Sequence, residues 1–463
     1  MESKLPKNWV ETEFKELTSF VIGGDWGKDL EFEFDVESEI VSCIRGSEIK
    51  KWEKDKGNTA SIRKVKSSSL EKRALIEGDI LIEISGGGPD QPVGRTIYID
   101  KEALNVNSDH KKVCTNFLRL VRLYDNLDKK FVKNYLDSFY LSGEVLKYQG
   151  GSNNLRNLKF KEFETIKIPL PPLAEQQRIV AKLDTLFGSL DALKIRLNNI
   201  PQLIKNFKQA VLTQAVTGKL TQEWRVGKEL EEWEESKLKT FSECRLGKML
   251  DKAKNKGQFI DYLRNKNVRW FNIDFEDVHQ MKVERSDLVK LKLEYGDILV
   301  CEGGEPGRAA IWKNERENII FQKALHRIRL NSSVLPEYFL YNLKVDAVNE
   351  SLNELFTGTT IKHLTGRAFS SYKILIPSIK EQTEIVKRVE NLFSKADAIE
   401  KQYKTLKEKI DRLPQAILAK AFKGELVAQL PTDGDAKDLL EEIKKLKESL
   451  VVKPKKKVVR NKK

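Results

Sequence analysis

The chain has 463 residues, of which 40% are hydrophobic and 33% charged, and this balance predicts a folded protein of several domains. Its 83 lysines and arginines outnumber its 69 acidic residues, and the formal charge of +14 favours a polyanionic partner, nucleic acid before an anionic membrane. The sequence has no apolar run of the ~18 residues that a membrane span needs and no secretory signal at its start, and its four cysteines and four histidines are scattered. We therefore expect a cytoplasmic protein without a membrane partner, a metal site or a disulfide framework.

Short strands and glycine turns characterise the first globular segment, residues 1–167. The stretch EGDILIEISGGG (77–88) predicts a short buried strand, entered by a Gly-Asp turn and followed by flexible glycines. Arg95 follows this turn in a Gly-Arg pair, and Arg45 lies earlier, at a predicted strand start. The mixture of short strands and helices predicts an α+β fold.

The second globular segment, residues 229–373, is a divergent copy of the first. Its stretch YGDILVCEGG (295–304) matches the first glycine turn and is again followed by a Gly-Arg pair, which contains Arg308. An offset of 224 residues between the two segments aligns Arg45 with Arg269. We therefore expect two related α+β domains.

A gapless repeat ends each globular segment and continues beyond it. At a constant offset of 206 residues, IPLPPLAEQQRIV (168–180) matches ILIPSIKEQTEIV (374–386), and the match holds from about 153 to 220 against 359 to 426. Apolar residues in both copies recur at alternating steps of four and three, the pattern of a coiled-coil seam. We expect two long helices that pair as an antiparallel coiled coil with pseudo-twofold symmetry. A buried amphipathic helix in each globular core is the alternative.

Proline placement predicts a difference between the two copies. Pro201 interrupts the first seam and Pro414 interrupts the second at a position that is not equivalent. Because proline removes a hydrogen bond inside a helix, the second helix is expected to run unbroken only from about Lys380 to Arg412.

Two patterns invite a catalytic interpretation, and neither is complete. The stretch SGGGPDQPVGRT has five residues between the relevant glycines instead of the four of a P-loop, and arginine in place of lysine. Asp79, Glu83 and Asp297 suggest part of a metal-dependent nuclease site, but Ser85 occupies the position of the required lysine. We expect no catalytic residue here, with a self-contained nuclease and a coiled-coil adaptor without a DNA role as alternatives.

Several stretches resemble one known family over nearly the whole chain, to about residue 430. They are LPKNWV near the start, IPLPPLAEQQRIVAKLDTLF with its second copy, IPQLIKNFKQAVLTQAVTGKLTQEWR (200–225) and LPQAILAKAFKGEL (413–426). The chain resembles the DNA-specificity subunit of type I restriction-modification enzymes, most closely those of the type IA subgroup.

The resemblance implies a non-catalytic subunit of a larger complex. Its target recognition domains, residues 1–167 and 229–373, would each read one half of a split, asymmetric target in double-stranded DNA. The repeated segments 168–228 and 374–430 would be spacers and docking surfaces, and residues 431–463 a charged helix with a basic tail. Two modification subunits would use S-adenosylmethionine to methylate adenine, and two restriction subunits would use ATP and Mg²⁺, so no cofactor is expected in this chain.

The candidate functional residues fall into two groups. Arginines beside matching strands and turns, with two glycines of those turns, are the candidates for DNA contact, because arginine is the commonest specific reader of guanine: Arg45, Arg269, Arg95, Arg308, Gly87 and Gly304. Phosphate contacts or structural ion pairs are the alternative roles of these arginines. The Glu-Gln pairs at the starts of the repeated helices are the candidates for subunit docking: Glu175, Gln176, Glu381 and Gln382.

Overall fold

The chain folds into two units that each combine distant parts of the sequence. A computed structural model describes residues 5–451 except 89–90, 153–154, 252, 254, 314–315 and 359–361, so the basic tail at 454–463 lies outside the described residues. The first unit comprises residues 1–195 and 407–463, and the second comprises residues 196–406. Both boundaries fall inside the long helices, whereas the five predicted segments follow sequence order alone.

The described strands of the first unit are β1 (Val10–Glu13), β2 (Thr18–Gly23), β3 (Ser38–Ile44), β4 (Ser61–Lys66), β5 (Ile80–Glu83), β6 (Ser85–Gly86), β7 (Thr96–Tyr98), β8 (Lys112–Cys114), β9 (Leu118–Leu123), β10 (Gln149–Ser152), β11 (Leu155–Leu158) and β12 (Lys167–Leu170). Those of the second unit are β13 (Glu234–Lys237), β14 (Ser242–Leu246), β15 (Gln258–Leu263), β16 (Val268–Arg269), β17 (Asn272–Ile273), β18 (His279–Val283), β19 (Ile298–Cys301), β20 (Ala309–Ile311), β21 (Ile319–Phe321), β22 (Leu325–Leu330) and β23 (Lys373–Ile376).

The described α-helices, in chain order, are α1 (Trp52–Asp55), α2 (Ser67–Arg73), α3 (Lys101–Asn105), α4 (Lys129–Leu141), α5 (Phe160–Phe163), α6 (Leu173–Val216), α7 (Gln222–Arg225), α8 (Leu238–Phe241), α9 (Arg285–Leu291), α10 (Pro336–Val348), α11 (Gly366–Phe369), α12 (Ile379–Phe422) and α13 (Ala436–Val451). Within the part of the chain that the structure describes, no helix is long and apolar enough to cross a bilayer.

The main sheets of the two units share one strand topology. In the first unit a four-stranded sheet has the order β2-β9-β5-β7 and a three-stranded sheet the order β4-β3-β8, in which β3 and β8 are parallel. In the second unit the corresponding orders are β14-β22-β19-β20 and β18-β15-β21, again with one parallel pair, β15 and β21. The antiparallel pairs β1-β12 and β13-β23 then connect the beginning of each globular segment to the strand before its long helix. The predicted α+β class and the duplication are therefore confirmed.

Each Gly-Asp turn is fastened by a buried carboxylate and an arginine on the neighbouring strand. Asp79 is fully buried and accepts hydrogen bonds from Arg122 Nε (2.7 Å) and Nη2 (2.9 Å). Asp297 is 1% exposed and accepts them from Arg329 Nε and Nη2, both at 2.8 Å. Each carboxylate also accepts the backbone N–H three residues earlier. The motif is therefore a structural anchor, because its carboxylates are already neutralised and hydrogen-bonded.

The two long helices are equal in length and continuous through their prolines. Helices α6 and α12 each span 44 residues, and Pro201 and Pro414 lie inside them. The predicted stop near Arg412 is therefore wrong. Ile410 and Leu418 are buried on the two sides of Pro414, so packing there outweighs the hydrogen bond that proline removes.

The long helices run antiparallel where they meet in the second unit. The end of α6 leads to Thr221, which bonds Glu381 near the start of α12, while Lys208, farther back along α6, pairs with Asp397, farther along α12. The predicted seams are buried at their ends, as at Ile179 and Ile385. Their middles are more open, since Leu193 and Leu406 are 47% and 46% exposed.

Asp79→Ala is expected to lower the free energy of unfolding of the first unit by about 3 kcal/mol, because Arg122 loses its buried partner. Chemical denaturation followed by circular dichroism measures this loss. Asp109→Ala removes an exposed carboxylate of the same unit and should change the stability by less than about 0.5 kcal/mol. Equal losses for the two variants would contradict the anchoring role.

Candidate nucleic-acid interface

A cavity of about 800 Å³ in the first unit collects three of the candidate DNA-binding residues. It is lined by residues that follow β3, by the glycine turn after β5 and by the turn between β8 and β9. Arg45, Gly87 and Arg95 all lie on its wall. The sheet ends therefore bring Arg45 and Arg95 to one cavity although they are fifty residues apart in sequence.

Arg45 is held in place by a buried glutamate. It directly follows β3 and precedes a 3₁₀ helix, Gly46–Lys51, whose Glu48 carboxylate accepts the Arg45 backbone N–H at 2.5 Å. The same carboxylate accepts Arg45 Nε at 3.0 Å, and the Thr59 carbonyl accepts Nη2 at 2.9 Å. The hydrogen bond to Glu48 raises the pKa of Arg45. The guanidinium stays charged and 39% exposed in a fixed orientation.

Arg95 forms a more buried pair with a second glutamate. Its Nε lies 2.8 Å from Glu83 Oε2, and the side chains of Arg95 and Glu83 are 15% and 2% exposed. The hydrogen bond to Glu83 raises the pKa of Arg95. Within the first unit this arginine acts as the structural partner of a buried carboxylate, and its DNA contact stays a prediction.

The two candidate glycines meet steric requirements of their turns. Gly87 has a φ of +72°, and a Cβ atom there would lie 2.4 Å from the Gln91 carbonyl oxygen. Gly304 has a φ of +78°, and a Cβ atom there would lie 3.2 Å from Asn265 Nδ2. Positive φ explains both glycines without a ligand, so their contact with DNA also stays a prediction.

The counterpart of Arg45 in the second unit is Arg264, not Arg269. Arg264 follows β15 as Arg45 follows β3, precedes a 3₁₀ helix, and has a φ and ψ of −114° and 168° against −110° and 167° for Arg45. Its backbone N–H bonds the Asn267 side chain at 2.9 Å, as that of Arg45 bonds Glu48. The alignment of Arg45 with Arg269 is therefore wrong, because insertions and deletions between the copies change the offset along the chain.

The second unit has its own cavity, of about 820 Å³, beside Arg264. Residues of β15 and β18 line it together with Gln322, which follows β21. Arg264 Nη2 is bonded to Asp277 at 2.7 Å, and Lys282 lies 5.6 Å from the ring centroid of Phe259, which is 63% exposed. Exposed aromatic rings beside basic groups suit contact with nucleic acid.

Arg269 and Arg308 lie outside the lining of this second cavity. Arg269 is 52% exposed and only 3.9 Å from Asp274. Arg308 is the structural counterpart of Arg95. The carbonyl of Arg308 accepts the Cys301 N–H, just as the carbonyl of Arg95 accepts the Glu83 N–H. Because Cys301 replaces the buried glutamate, Arg308 pairs instead with Glu305 at 2.7 Å.

The candidate docking residues are buried inside their own units. Glu175 accepts hydrogen bonds from Trp9 Nε1 at 3.0 Å and Asn8 Nδ2 at 3.2 Å. Gln429 Nε2, from the segment after α12, donates a third at 3.1 Å. We call the bonded set around this carboxylate, and its counterpart in the second unit, a glutamate clasp.

The second glutamate clasp has the same design. Glu381 accepts hydrogen bonds from Trp233 Nε1 at 3.1 Å and Thr221 Oγ1 at 2.7 Å. Arg225 Nε lies 3.7 Å from its carboxylate. Thr221 and Arg225 belong to the segment after α6, as Gln429 belongs to the segment after α12. The segment after α6 therefore binds the start of α12, and the segment after α12 binds the start of α6.

Gln176 and Gln382 fasten the neighbouring loops. Gln176 Oε1 accepts the N–H of the residue just before α4 at 3.0 Å. Gln382 Oε1 accepts the N–H of the residue just before α10 at 2.8 Å. In both cases Nε2 donates to the carbonyl of the proline five residues earlier, at 2.8 Å. All four side chains of the two Glu-Gln pairs are fully buried. Their observed partners are therefore intrachain, and contact with another subunit stays a prediction that would require the clasps to open.

Sequence reasoning missed Arg264 and the residues of the turns that line the cavities, such as Phe117 and Gln322. The signal for Arg264 was present, because an apolar strand, an arginine and a polar residue three positions later occur in both copies. The turns carry no glycine or proline and gave no comparable signal.

Glu381→Ala is expected to lower the free energy of unfolding of the second unit by about 2–4 kcal/mol, because buried donors lose their acceptor. Thermal and chemical denaturation measure this loss of stability. Trp233→Phe should lower the free energy of unfolding by about 1 kcal/mol, because it removes only the hydrogen bond from Trp233 Nε1 to Glu381. Glu390→Ala, an exposed change on the same helix, is the matched control. Unchanged stability of Glu381→Ala with lost subunit assembly would instead support a docking role.

Comparisons with known proteins agree with this architecture. A family model described as the type I restriction modification DNA specificity domain matches residues 6–202 and 230–408. The type I restriction enzyme EcoKI specificity subunit of Escherichia coli (strain K12) is 32% identical over 458 residues, which cover 95% of this chain and 96% of that protein. The StySPI specificity subunit of Salmonella potsdam is 28% identical, over 92% of this chain and 91% of that protein.

A solved structure shares the fold. The crystal structure of the HsdS subunit from Thermoanaerobacter tengcongensis matches with a TM-score of 0.61 at 17% identity, covering 92% of this chain and 99% of that chain. The family model and the similarity to the EcoKI subunit confirm the resemblance that the duplicated motifs indicated. The chain therefore belongs to the family of type I restriction-modification DNA specificity subunits.

Proposed function

We propose that the chain binds double-stranded DNA at a bipartite, asymmetric target, with one half-site for each unit. The observation that carries this proposal is a pair of cavities that have Arg45 and Arg264 as equivalent wall residues of one duplicated scaffold. The rest of their linings comes largely from different elements, the glycine turn after β5 in the first unit and the strands β15 and β18 in the second. A common scaffold suits two readers of the same kind of surface. Different linings suit two different half-sites.

Charge supports DNA as the ligand of both surfaces. The formal charge of +14 provides phosphate attraction that does not depend on sequence. The arginines beside the cavities are already oriented by carboxylates, as Arg45 is by Glu48. Such preorganised groups lose little side-chain entropy when a phosphate or a base edge replaces solvent. Affinity would come mainly from phosphates and specificity from a minority of side chains.

Partner subunits would supply the chemistry. We propose that two modification subunits with S-adenosylmethionine methylate adenine, and that two restriction subunits use ATP and Mg²⁺ to cleave DNA. The chain's own candidate acids support this division, because Asp79, Asp297 and Glu83 are each bonded to an arginine. A carboxylate engaged in this way is a poor metal ligand, so the self-contained nuclease is not favoured.

The first test measures DNA binding by the purified full chain, alone and with its modification subunits, over a range of salt concentrations. A specific duplex, once selected, should bind at least about 10³-fold more tightly than random DNA, and affinity should fall steeply with salt. Salt-independent binding without sequence preference would favour the adaptor without a DNA role.

The same preparation tests the absence of catalysis in the isolated chain. With S-adenosylmethionine, the chain alone should methylate no adenine, and with Mg²⁺ it should cleave no DNA. Adenine methylation by the isolated chain would contradict the proposal. Cleavage that Asp79→Asn abolishes would revive the nuclease alternative.

A further inference from the structure

Two short turns occupy corresponding positions beside the two cavities. The first, residues 115–118, connects β8 to β9 and is closed by a 2.9 Å hydrogen bond from the Leu118 N–H to the Thr115 carbonyl. The second, residues 322–325, connects β21 to β22 and is closed by a 2.9 Å bond from the Leu325 N–H to the Gln322 carbonyl. We call these two segments the reader turns.

Neighbouring strands hold both reader turns through the same backbone bonds. Thr115, the first residue of one turn, donates its N–H to the carbonyl of the last residue of β3 at 2.9 Å. Gln322, the first residue of the other turn, donates its N–H to the carbonyl of the last residue of β15, also at 2.9 Å. The third residue, Phe117 or Ala324, accepts the N–H of the residue just after β5 or β19, also at 2.9 Å. Each turn is therefore fixed between the strand that ends at the cavity arginine and the strand that leads to the glycine turn.

A glycine lies directly behind each reader turn. A Cβ atom on Gly24 would lie 2.1 Å from the Thr115 carbonyl oxygen, and one on Gly247 would lie 2.3 Å from that of Gln322. The N–H groups of these glycines bond the fourth turn residue at 3.1 Å in both units. Only glycine permits this approach, so the backbone of each turn is supported from behind as well as from both sides.

The side chains on this common backbone differ at the first three positions of the turn, and the fourth is leucine in both. The first turn presents exposed Asn116 and a Phe117 that is 50% exposed, where the second presents exposed Lys323 and a half-buried Ala324. Thr115, Asn116 and Phe117 line the first cavity beside Arg45, and Gln322 lines the second beside Arg264. A fixed backbone with different outward side chains is what two readers of different sequences need.

We propose that the reader turns contact base edges and determine which half-site each unit accepts. This inference rests on the proposed DNA-binding function and deepens it. Asparagine and glutamine pair with adenine edges, lysine pairs with guanine, and an exposed phenylalanine contacts the thymine methyl group. The neighbouring arginines, already bonded to carboxylates, then serve chiefly to position the phosphate backbone.

The test exchanges side chains between the turns in the full chain. Asn116→Lys with Phe117→Ala gives the first turn the central residues of the second, and Lys323→Asn with Ala324→Phe makes the reverse exchange. None of these four positions has a positive φ, so the backbone accepts the new residues. Selection of binding sites from random duplexes, followed by sequencing, measures base preference at every position.

We expect the first variant to lose preference at one or two positions of one half-site by at least about tenfold, with the other half-site unchanged. The reverse variant should affect the other half-site alone. Asn105→Lys with Leu141→Ala alters exposed residues of the first unit that do not line the cavity, and should keep both preferences.

Two results would overturn the inference: base preferences that stay unchanged in both exchange variants, or preferences that weaken equally in both half-sites. These outcomes differ from failure of the proposed function itself, in which the unaltered chain shows no sequence preference. Melting temperatures of the variants within a few degrees of the unaltered chain show that the exchanged turns have folded.

Discussion

The glutamate clasps are the constraint on which the rest of each unit depends. A buried carboxylate is costly unless its hydrogen-bonding capacity is met, and Glu175 and Glu381 meet it only by collecting groups from distant parts of the chain. Each clasp joins a tryptophan from the start of a globular segment to the first turn of a long helix. Each also recruits the segment that follows the other long helix, as Gln429 does for Glu175. The helix ends and the globular segments therefore become one cooperative structure.

This duplicated framework separates what must be constant from what can vary. The Gly-Asp anchors and the backbone around the reader turns are built alike in both units, with hydrogen bonds that agree within a few tenths of an ångström in length. The two clasps share their glutamate–tryptophan bond, at 3.0 and 3.1 Å. The cavity linings differ, as the equivalent turn residues Thr115 and Gln322 show. The scaffold thus provides the stability of each unit, and under the proposed function the residues that contact bases could change without loss of the fold.

The duplication, the long helices and the family were predictable from the sequence because the helical copies match without gaps. A constant offset keeps the apolar residues of both copies in the same four-three spacing. It failed where insertions accumulate, since the offset that aligns Trp9 with Trp233 no longer holds at Arg264. It also misplaced the helix stop at Pro414, because local propensity does not record the packing on either side of a proline. The Glu-Gln pairs were recognisable as important, but only tertiary structure reveals that they are buried. The reader turns contain no glycine or proline, so the sequence does not mark them as turns, and only the neighbouring strands in the folded structure show where they lie.

The central claim is that two equivalent scaffolds read two different half-sites. Mapping methylated adenines in DNA from cells that contain this chain and its modification subunits tests that claim most directly. We predict one asymmetric target with two unlike half-sites, a gap without base preference, and loss of the pattern when the chain is deleted. A continuous motif, a palindrome with identical half-sites, or methylation that persists without the chain would contradict it.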